Sequence, residues 1–191
     1  MKRDRLPPSF FTQQTTLQLA ESLIGCILVH ETASGVVTGR IVETEAYTES
    51  DAASHSVHGK VTDKNASMFL PAGHLYTYQI YGHVCCNIVA EREGKGCAVL
   101  LRAAVPMNGI PLMLQRRGIE PLSDGPGKLC QAFGITQDHN GLDLTNAHAP
   151  LFVAPKEVAC KVVRTPRIGI SRATEKMWRF VAGDAGGILT P

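Results

Sequence analysis

The segment from His74 to Ala90 constrains the fold of this chain more than any other. It begins with a stretch rich in tyrosine, passes through Gly82-His83 and ends in the apolar residues 84–90. Two runs of aromatic and β-branched residues around a glycine are typical of a β-hairpin. We therefore predict a hairpin whose tip lies near Tyr81 and Gly82.

The rest of the chain alternates between strand-like and helical patterns. Strands are predicted at residues 26–31, 35–43, 97–105, 158–164 and 178–181, and helices at residues 15–24, 110–117 and 127–133. Strands that follow strands, with helices inserted between them, indicate an α+β fold. The expectation is a curved, mainly antiparallel sheet with a protruding β-hairpin and surrounding helices. Because no repeat or linker stands out, residues 1–191 are predicted to form a single domain.

Composition alone does not indicate a nucleic-acid partner. The chain has 191 residues, 44% of them hydrophobic, and a formal net charge of only +2. A DNA-binding face still requires only a local basic patch, because the local potential matters more than the sum of charges. Both a basic patch and scattered surface charges are compatible with this composition.

The six cysteines and the first residues indicate the cellular compartment. No CxxC pair occurs, and most of the cysteines lie inside apolar runs. We therefore expect reduced thiols of a cytoplasmic protein. The first eight residues are charged and contain prolines, unlike a secretion signal, and no apolar run approaches the roughly 18 residues of a membrane span.

Two segments carry candidate catalytic or metal-binding groups. In Glu43-Thr44-Glu45-Ala46-Tyr47, at the end of a predicted strand, the two glutamates share one face and either could act as a general base. A solvated strand end explains the same pattern. The polar residues 50–67 form a long irregular loop with His55 and His58. No third ligand completes a metal motif, so no metal is expected.

The tyrosine series Tyr76, Tyr78 and Tyr81 lies in the predicted hairpin, and the fourth tyrosine, Tyr47, lies beside the glutamates. Packing in the hydrophobic core is one explanation of this tyrosine cluster, although each buried hydroxyl then needs a hydrogen-bond partner. A pocket that stacks on a flat base, with stacking worth roughly 1–3 kcal/mol per base, uses the same rings. Residues 123–130 form a glycine-rich helix start that is not a Walker loop. There, Lys128 is either a phosphate contact or an exposed lysine.

Taken together, these segments resemble the alkyladenine (3-methyladenine) DNA glycosylase family. The likeness runs in order over about residues 5–182. It includes Gly39-Arg-Ile-Val-Glu-Thr-Glu-Ala-Tyr47, Ala53-Ser-His55, Asn65, Met68-Phe69, Gly73-His-Leu-Tyr-Thr-Tyr-Gln-Ile-Tyr-Gly82, Cys86-Asn87, Ala98-Val-Leu-Leu-Arg102, Gly125-Pro-Gly-Lys-Leu-Cys130 and Arg167-Ile-Gly169. One such motif is weak evidence, whereas this many in order are specific.

The resemblance implies an enzyme that flips alkylated or deaminated purines out of duplex DNA and hydrolyses the N-glycosidic bond. Glu45 is expected to activate the water, with Arg102 helping to hold it, and Lys128 to contact phosphate. The base is expected to lie in a pocket in which Tyr47 and Tyr78 sandwich the purine, with His55 as a further wall and Asn87 at the floor. Beside this pocket, Tyr81 is expected to be the DNA-intercalating residue that fills the gap in the duplex.

No lysine matches a nucleophile position, so the resemblance implies hydrolysis without strand cleavage. The expected enzyme needs no cofactor, acts on double-stranded DNA as a monomer, and is cytoplasmic, associated with the nucleoid if it is bacterial. The chain departs from the family pattern at three places. His83 and Val84 stand where some relatives have a second aromatic residue near the hairpin tip, which implies a narrower wedge. Val57 stands where an arginine often occurs and Lys64 replaces an arginine, which affects the phosphate contacts more than the chemistry.

Three other functions are weighed against this one. A non-catalytic damage-binding module would not need Glu45 with Arg102, and an enzyme acting on free nucleosides would have no duplex gap for Tyr81. A helix-hairpin-helix glycosylase would account for Gly125-Pro-Gly127 but not for the aromatic hairpin.

Overall fold

A computed structural model describes residues 3–184 of the chain. It contains four α-helices, eight strands and three 3₁₀ turns. The helices are α1 (Pro8–Thr12), α2 (Thr16–Ser22), α3 (Ile110–Arg117) and α4 (Pro126–Phe133). The strands are β1 (Ile27–Thr32), β2 (Gly35–Tyr47), β3 (Leu75–Ile80), β4 (His83–Val89), β5 (Ala98–Asn108), β6 (Leu151–Ala154), β7 (Val162–Thr165) and β8 (Arg179–Ala182). The turns lie at Val57–Gly59, Ala66–Phe69 and Gln137–His139.

The strands form one curled antiparallel sheet, which confirms the α+β prediction. Their order is β3-β4-β5-β2-β1-β6, and β8 pairs with both β2 and β7. The long strand β2 organises this arrangement. Its first half pairs with β1, its second half pairs with β8, and its other edge pairs with β5 across register shifts near Glu43. Such bulges bend a strand, so β2 can pair with both β1 and β8 along one edge.

The two faces of the sheet have different surroundings. One face packs on α2 and α4 in the main core, where Leu19, Leu129 and Phe133 are fully buried. Gly39 of β2 is required there, because a Cβ atom at this position would lie 2.8 Å from Cζ of Phe133. On the other face a smaller cluster forms around Met68, where the long loop between β2 and β3 covers the sheet.

Alternation along β3 and β4 assigns neighbouring side chains to these two faces. Leu75 and Cys86 enter the main core, whereas Tyr76 belongs to the smaller cluster and Cys85 lines a cavity beside it. The adjacent residues Cys85 and Cys86 therefore point to opposite faces of the sheet. All six cysteines are free thiols, as expected.

The predicted helices, the hairpin and most strands are confirmed, but several boundaries were wrong. Strand β2 continues to Tyr47, so the glutamates lie within it and are buried, not at a solvated end. Strand β5 passes through Pro106, which the bulge beside Gly39 accommodates. Strand β7 begins only at Val162, since Val158 is exposed and unpaired. Helix α1 and strand β6 were not predicted.

Candidate active site

A cavity of about 330 Å³ opens between the β3–β4 hairpin and the loop that follows β2. Its wall is mostly aromatic and apolar, with a few polar groups, as is typical of small-molecule sites. The lining includes six of the eight residues singled out from the sequence, and these are Tyr47, His55, Tyr78, Tyr81, Asn87 and Arg102. Residues that are far apart in the chain are therefore brought together at one site.

Tyr78 and His55 form one side of the cavity. Their rings meet edge to face, with centroids 4.6 Å apart and an interplanar angle of 84°. The Nδ1 atom of His55 lies 2.9 Å from the hydroxyl of Tyr76. Burial lowers the pKa of His55 and raises the pKa of Tyr76 to about 12. The imidazole is therefore neutral near pH 7, and Tyr76 holds it in place.

The loop that carries His55 is held in place by hydrogen bonds of the Asn65 side chain. The side-chain amide of Asn65 donates to the backbone carbonyls of His55 and Lys60, at 2.8 and 2.9 Å, and its oxygen accepts from the backbone N–H of Thr62. Asn65 is buried, so these bonds satisfy its polar atoms without water. The irregular loop thus has one defined shape beside the cavity.

Glu45 is completely buried directly behind the cavity wall. Its Oε2 atom accepts from the hydroxyl of Tyr47 at 2.8 Å and lies 3.5 Å from Nη1 of Arg102. Its Oε1 atom accepts from the backbone N–H of Ile168 at 2.8 Å. These three partners all line the cavity. Each carboxylate oxygen has two acceptor sites, so Oε1, which accepts here from one N–H group, keeps a second acceptor site.

Arg102 bridges the two glutamates of β2. Its Nε atom donates to Oε1 of Glu43 at 3.1 Å, and the same oxygen accepts from Nε of Arg179. Burial by itself would lower the pKa of Arg102, but the charges of Glu45 and Glu43 outweigh it and raise that pKa. The shared face predicted for the two glutamates is thereby confirmed, and Arg102 stays charged beside the cavity.

Tyr47 and Asn87 complete the polar part of the wall. Burial, with the charge of Glu45, raises the pKa of Tyr47, so its hydroxyl keeps the proton that it donates to the carboxylate. Asn87 donates from Nδ2 to the backbone carbonyl of Tyr76 at 3.0 Å, which fixes the plane of its amide. Both side chains are therefore oriented by the protein before any ligand enters.

Tyr81 lies at the hairpin tip, and 93% of its surface is exposed. It and Gly82 have φ angles of +49° and +79°, between the paired residues Ile80 and His83. Two central residues with positive φ define a type I′ turn. For a residue as large as tyrosine this backbone conformation is uncommon. The tip thus holds an aromatic ring out in solvent at the rim of the cavity.

Lys128 lies outside the cavity, in the first turns of α4. Its ammonium group pairs with Asp124 at 2.9 Å, and about 39% of its side chain is exposed. The same helix supports the hairpin, since a Cβ atom at Gly127 would lie 2.9 Å from Cβ of His83. Only Pro126 of this helix lines the cavity.

Sequence reasoning gave no role to Arg167, Ile168 or Tyr76. Arg167 and Ile168 belong to a motif quoted for the family resemblance, and Tyr76 to the tyrosine series. The signal that could have found Tyr76 is its position two residues before Tyr78, which places both rings on one face of β3. No comparable local signal connects Ile168 to a glutamate 123 residues earlier.

Across residues 3–184, no group of three or more His, Cys, Asp and Glu side chains is placed to hold a metal ion. Within the same range, no helix has the length and apolar character needed to cross a membrane.

Comparison with known proteins adds a family and several close relatives. The family model for methylpurine-DNA glycosylase (MPG) matches residues 9–185. A relative from Methanoculleus marisnigri is 47% identical over 182 residues, covering 91% of this chain and 93% of that protein. One from Chlorobaculum tepidum is 48% identical, covering 91% and 86%, and one from Agrobacterium fabrum is 48% identical, covering 92% and 87%. All three are named "Putative 3-methyladenine DNA glycosylase".

Proposed function

Because this chain belongs to the methylpurine-DNA glycosylase family, we propose that it excises alkylated or deaminated purines from duplex DNA. The substrate class comprises 3-methyladenine, 7-methylguanine, hypoxanthine and ethenoadenine. The observation that carries this proposal is the buried carboxylate of Glu45, held directly behind a tyrosine-walled cavity by residues that line it.

The aromatic walls suit a flat base that has left the helix. Tyr47 and Tyr78 come from different strands, and His55 meets Tyr78 at a right angle. Stacking of a base on such rings is worth roughly 1–3 kcal/mol, which helps to offset the few kcal/mol needed to extrude a nucleotide. Asn87 at the floor would contact the edge of the base and disfavour the 2-amino group of unmodified guanine, which, unlike the positively charged 7-methylguanine, has no weakened N-glycosidic bond.

The chemistry requires a water molecule at the sugar. Glu45 would take a proton from this water as its oxygen attacks C1′, and the N-glycosidic bond would break with its electron pair leaving on the base. Positive charge builds on the sugar during this step, so a carboxylate in a site shielded from water also stabilises the transition state. Arg102 and the backbone of Ile168 hold the carboxylate in position.

The charge of the leaving base determines whether the base must also be protonated. A positively charged purine such as 3-methyladenine leaves as a neutral base. A neutral lesion such as hypoxanthine must also gain a proton. His55 is neutral because burial lowers its pKa, so it would orient such a base and not protonate it as an imidazolium.

Tyr81 and Lys128 would act on the DNA. The exposed ring of Tyr81 at the hairpin tip would enter the base stack and fill the position that the flipped nucleotide leaves, as inserted apolar wedges do in other DNA complexes. Lys128 would exchange its contact with Asp124 for a phosphate oxygen.

The reaction would end at an abasic site. No lysine lines the cavity among the described residues, which supports hydrolysis in place of a Schiff-base route to strand cleavage. We further propose that the chain acts in the cytoplasm, without a cofactor, as a monomeric single glycosylase domain.

The test is release of a base from defined duplexes. Oligonucleotides with a single hypoxanthine, ethenoadenine or 3-methyladenine are incubated with the protein, and abasic sites are revealed by alkali. The expected result is release that falls by about 10²- to 10⁴-fold in the Glu45→Gln variant, the range of general acid–base contributions. Equal release by wild type and variant would refute the proposal. Strand breaks before alkali would refute the monofunctional part of it.

A further inference from the structure

Arg167 and Asp51 form an ion pair that has no exposed surface on either side chain. Arg167 donates from Nη2 to Oδ1 of Asp51 at 3.0 Å and from Nη1 to Oδ2. It also donates from Nη1 to the backbone carbonyl of Ala46 at 2.9 Å. Buried ion pairs are often no more stabilising than apolar groups of the same shape. Stability alone therefore does not account for this pair.

The position of Arg167 connects two parts of the site. Its guanidinium carbon lies 4.6 Å from the ring centre of Tyr47, on the wall proposed to stack on the base. The next residue, Ile168, donates its backbone N–H to Glu45. Arg167 thus contacts the stacking ring through its side chain and holds the catalytic carboxylate through its neighbour.

We propose that Arg167, anchored by Asp51, is a positioning residue that sets Tyr47 for stacking and Glu45 for water activation. This inference rests on the proposed function and deepens it. Arg167 has little exposed surface and does not line the cavity, so it acts through these two partners and not on the substrate.

Arginine is needed at this position for its shape as well as its charge. The planar guanidinium can bind both oxygens of Asp51 and lie against the ring of Tyr47 and, at 5.3 Å, of Trp178 at the same time. A lysine ammonium is a point charge that cannot make a bidentate contact or stack. Arg167→Lys therefore keeps the charge but loses the geometry.

The experiment compares Arg167→Lys with a control of similar instability. Val29→Ala removes two methyl groups from the separate core cluster of Ile27, Val29, Phe152 and Ala154, none of which lines the cavity. Each protein is assayed at the same interval below its own Tm. Single-turnover excision of ethenoadenine is measured, together with affinity for a duplex with ethenoadenine and for one with a tetrahydrofuran abasic analogue.

The inference predicts different results for the two duplexes. The excision rate of Arg167→Lys should fall about 10- to 100-fold below the control, as expected for a small misplacement of reacting groups. Affinity for the ethenoadenine duplex should also fall. Affinity for the abasic analogue should match the control, because that duplex has no base to stack. If Arg167→Lys does not fold, Asp51→Asn, which removes the anchoring charge, is measured in its place with the same expectation.

The two possible failures are distinguishable. If the wild type is active and the Arg167 variant matches the Val29→Ala control, this inference alone is overturned. The same holds if the wild type is active and the variant loses affinity equally for both duplexes. A wild type that releases no lesion overturns the proposed function and this inference together.

Discussion

Replacing Tyr81 by asparagine separates the stability of the hairpin from its proposed role on DNA. Tyr81 has a φ of +49° and is 93% exposed, so its side chain makes few contacts that could be lost. The left-handed conformation costs most L-residues roughly 1–2 kcal/mol, asparagine less, and Asn-Gly is the preferred pair in a type I′ turn. Tyr81→Asn should therefore raise the free energy of unfolding by about 0.5–1 kcal/mol, which is about 1–4 °C in Tm for a chain of this length.

The same change should weaken action on duplex DNA. A ring inserted into the stack contributes roughly 1–3 kcal/mol, which corresponds to a loss of about 5- to 140-fold in the flipped population. The assay is single-turnover excision of ethenoadenine from a duplex and from a single strand. Since the single strand has no gap to fill, the loss should be confined to the duplex. Lower stability in Tyr81→Asn, or equal losses on both substrates, would refute this reasoning.

Three further predictions concern the wall, the loop and the core. Tyr47→Phe removes only the hydroxyl that donates to Glu45, so the single-turnover excision rate should fall about tenfold or more while the affinity for the lesion duplex stays unchanged. Tyr47→Ala should lower both the excision rate and the affinity. An equal loss of affinity in the two variants would contradict the separate roles of hydroxyl and ring. Gly96→Ala places a Cβ atom 2.7 Å from Cζ of Phe69 and should lower the free energy of unfolding by about 1–3 kcal/mol, measured by urea titration; an unchanged midpoint would exclude the clash. Burial lowers the pKa of His30, so the unfolded chain binds more protons below about pH 6.5 and the unfolding free energy should decrease as pH falls from 7 to 5. The slope should be shallower in His30→Gln, and an identical slope would contradict the assignment.

The local pattern of the sequence was sufficient to predict the β3–β4 hairpin and the position of its tip. The alternation of tyrosines and the following Tyr-Gly turn are short-range features, and the turn chemistry acts between neighbouring residues. The start of α2 is equally local, since Thr15 and Gln18 cap it reciprocally. Glu43 and Glu45 were placed on one face for the same reason, because strand geometry alone sets that relation.

The boundaries that were wrong depend on distant partners. Strand β2 continues to Tyr47 because β5 and β8 supply hydrogen bonds on its two edges. Pro106 remains in a strand because a bulge lies opposite it. Residues 158–161 lie outside strand β7, although the predicted strand began at Val158. Which strands lie side by side is a property of the whole sheet and not of any one segment.

The sequence by itself determined the residue types of the site and their family resemblance. Only the tertiary structure decided how they cooperate. The hydroxyl of Tyr47 donates to Glu45, Tyr76 holds His55, and Arg167 with Asp51 supports the wall from behind. The physical reason is that contacts between residues more than 100 positions apart, such as Ile168 with Glu45, form only when the curled sheet brings its strands and loops around one cavity.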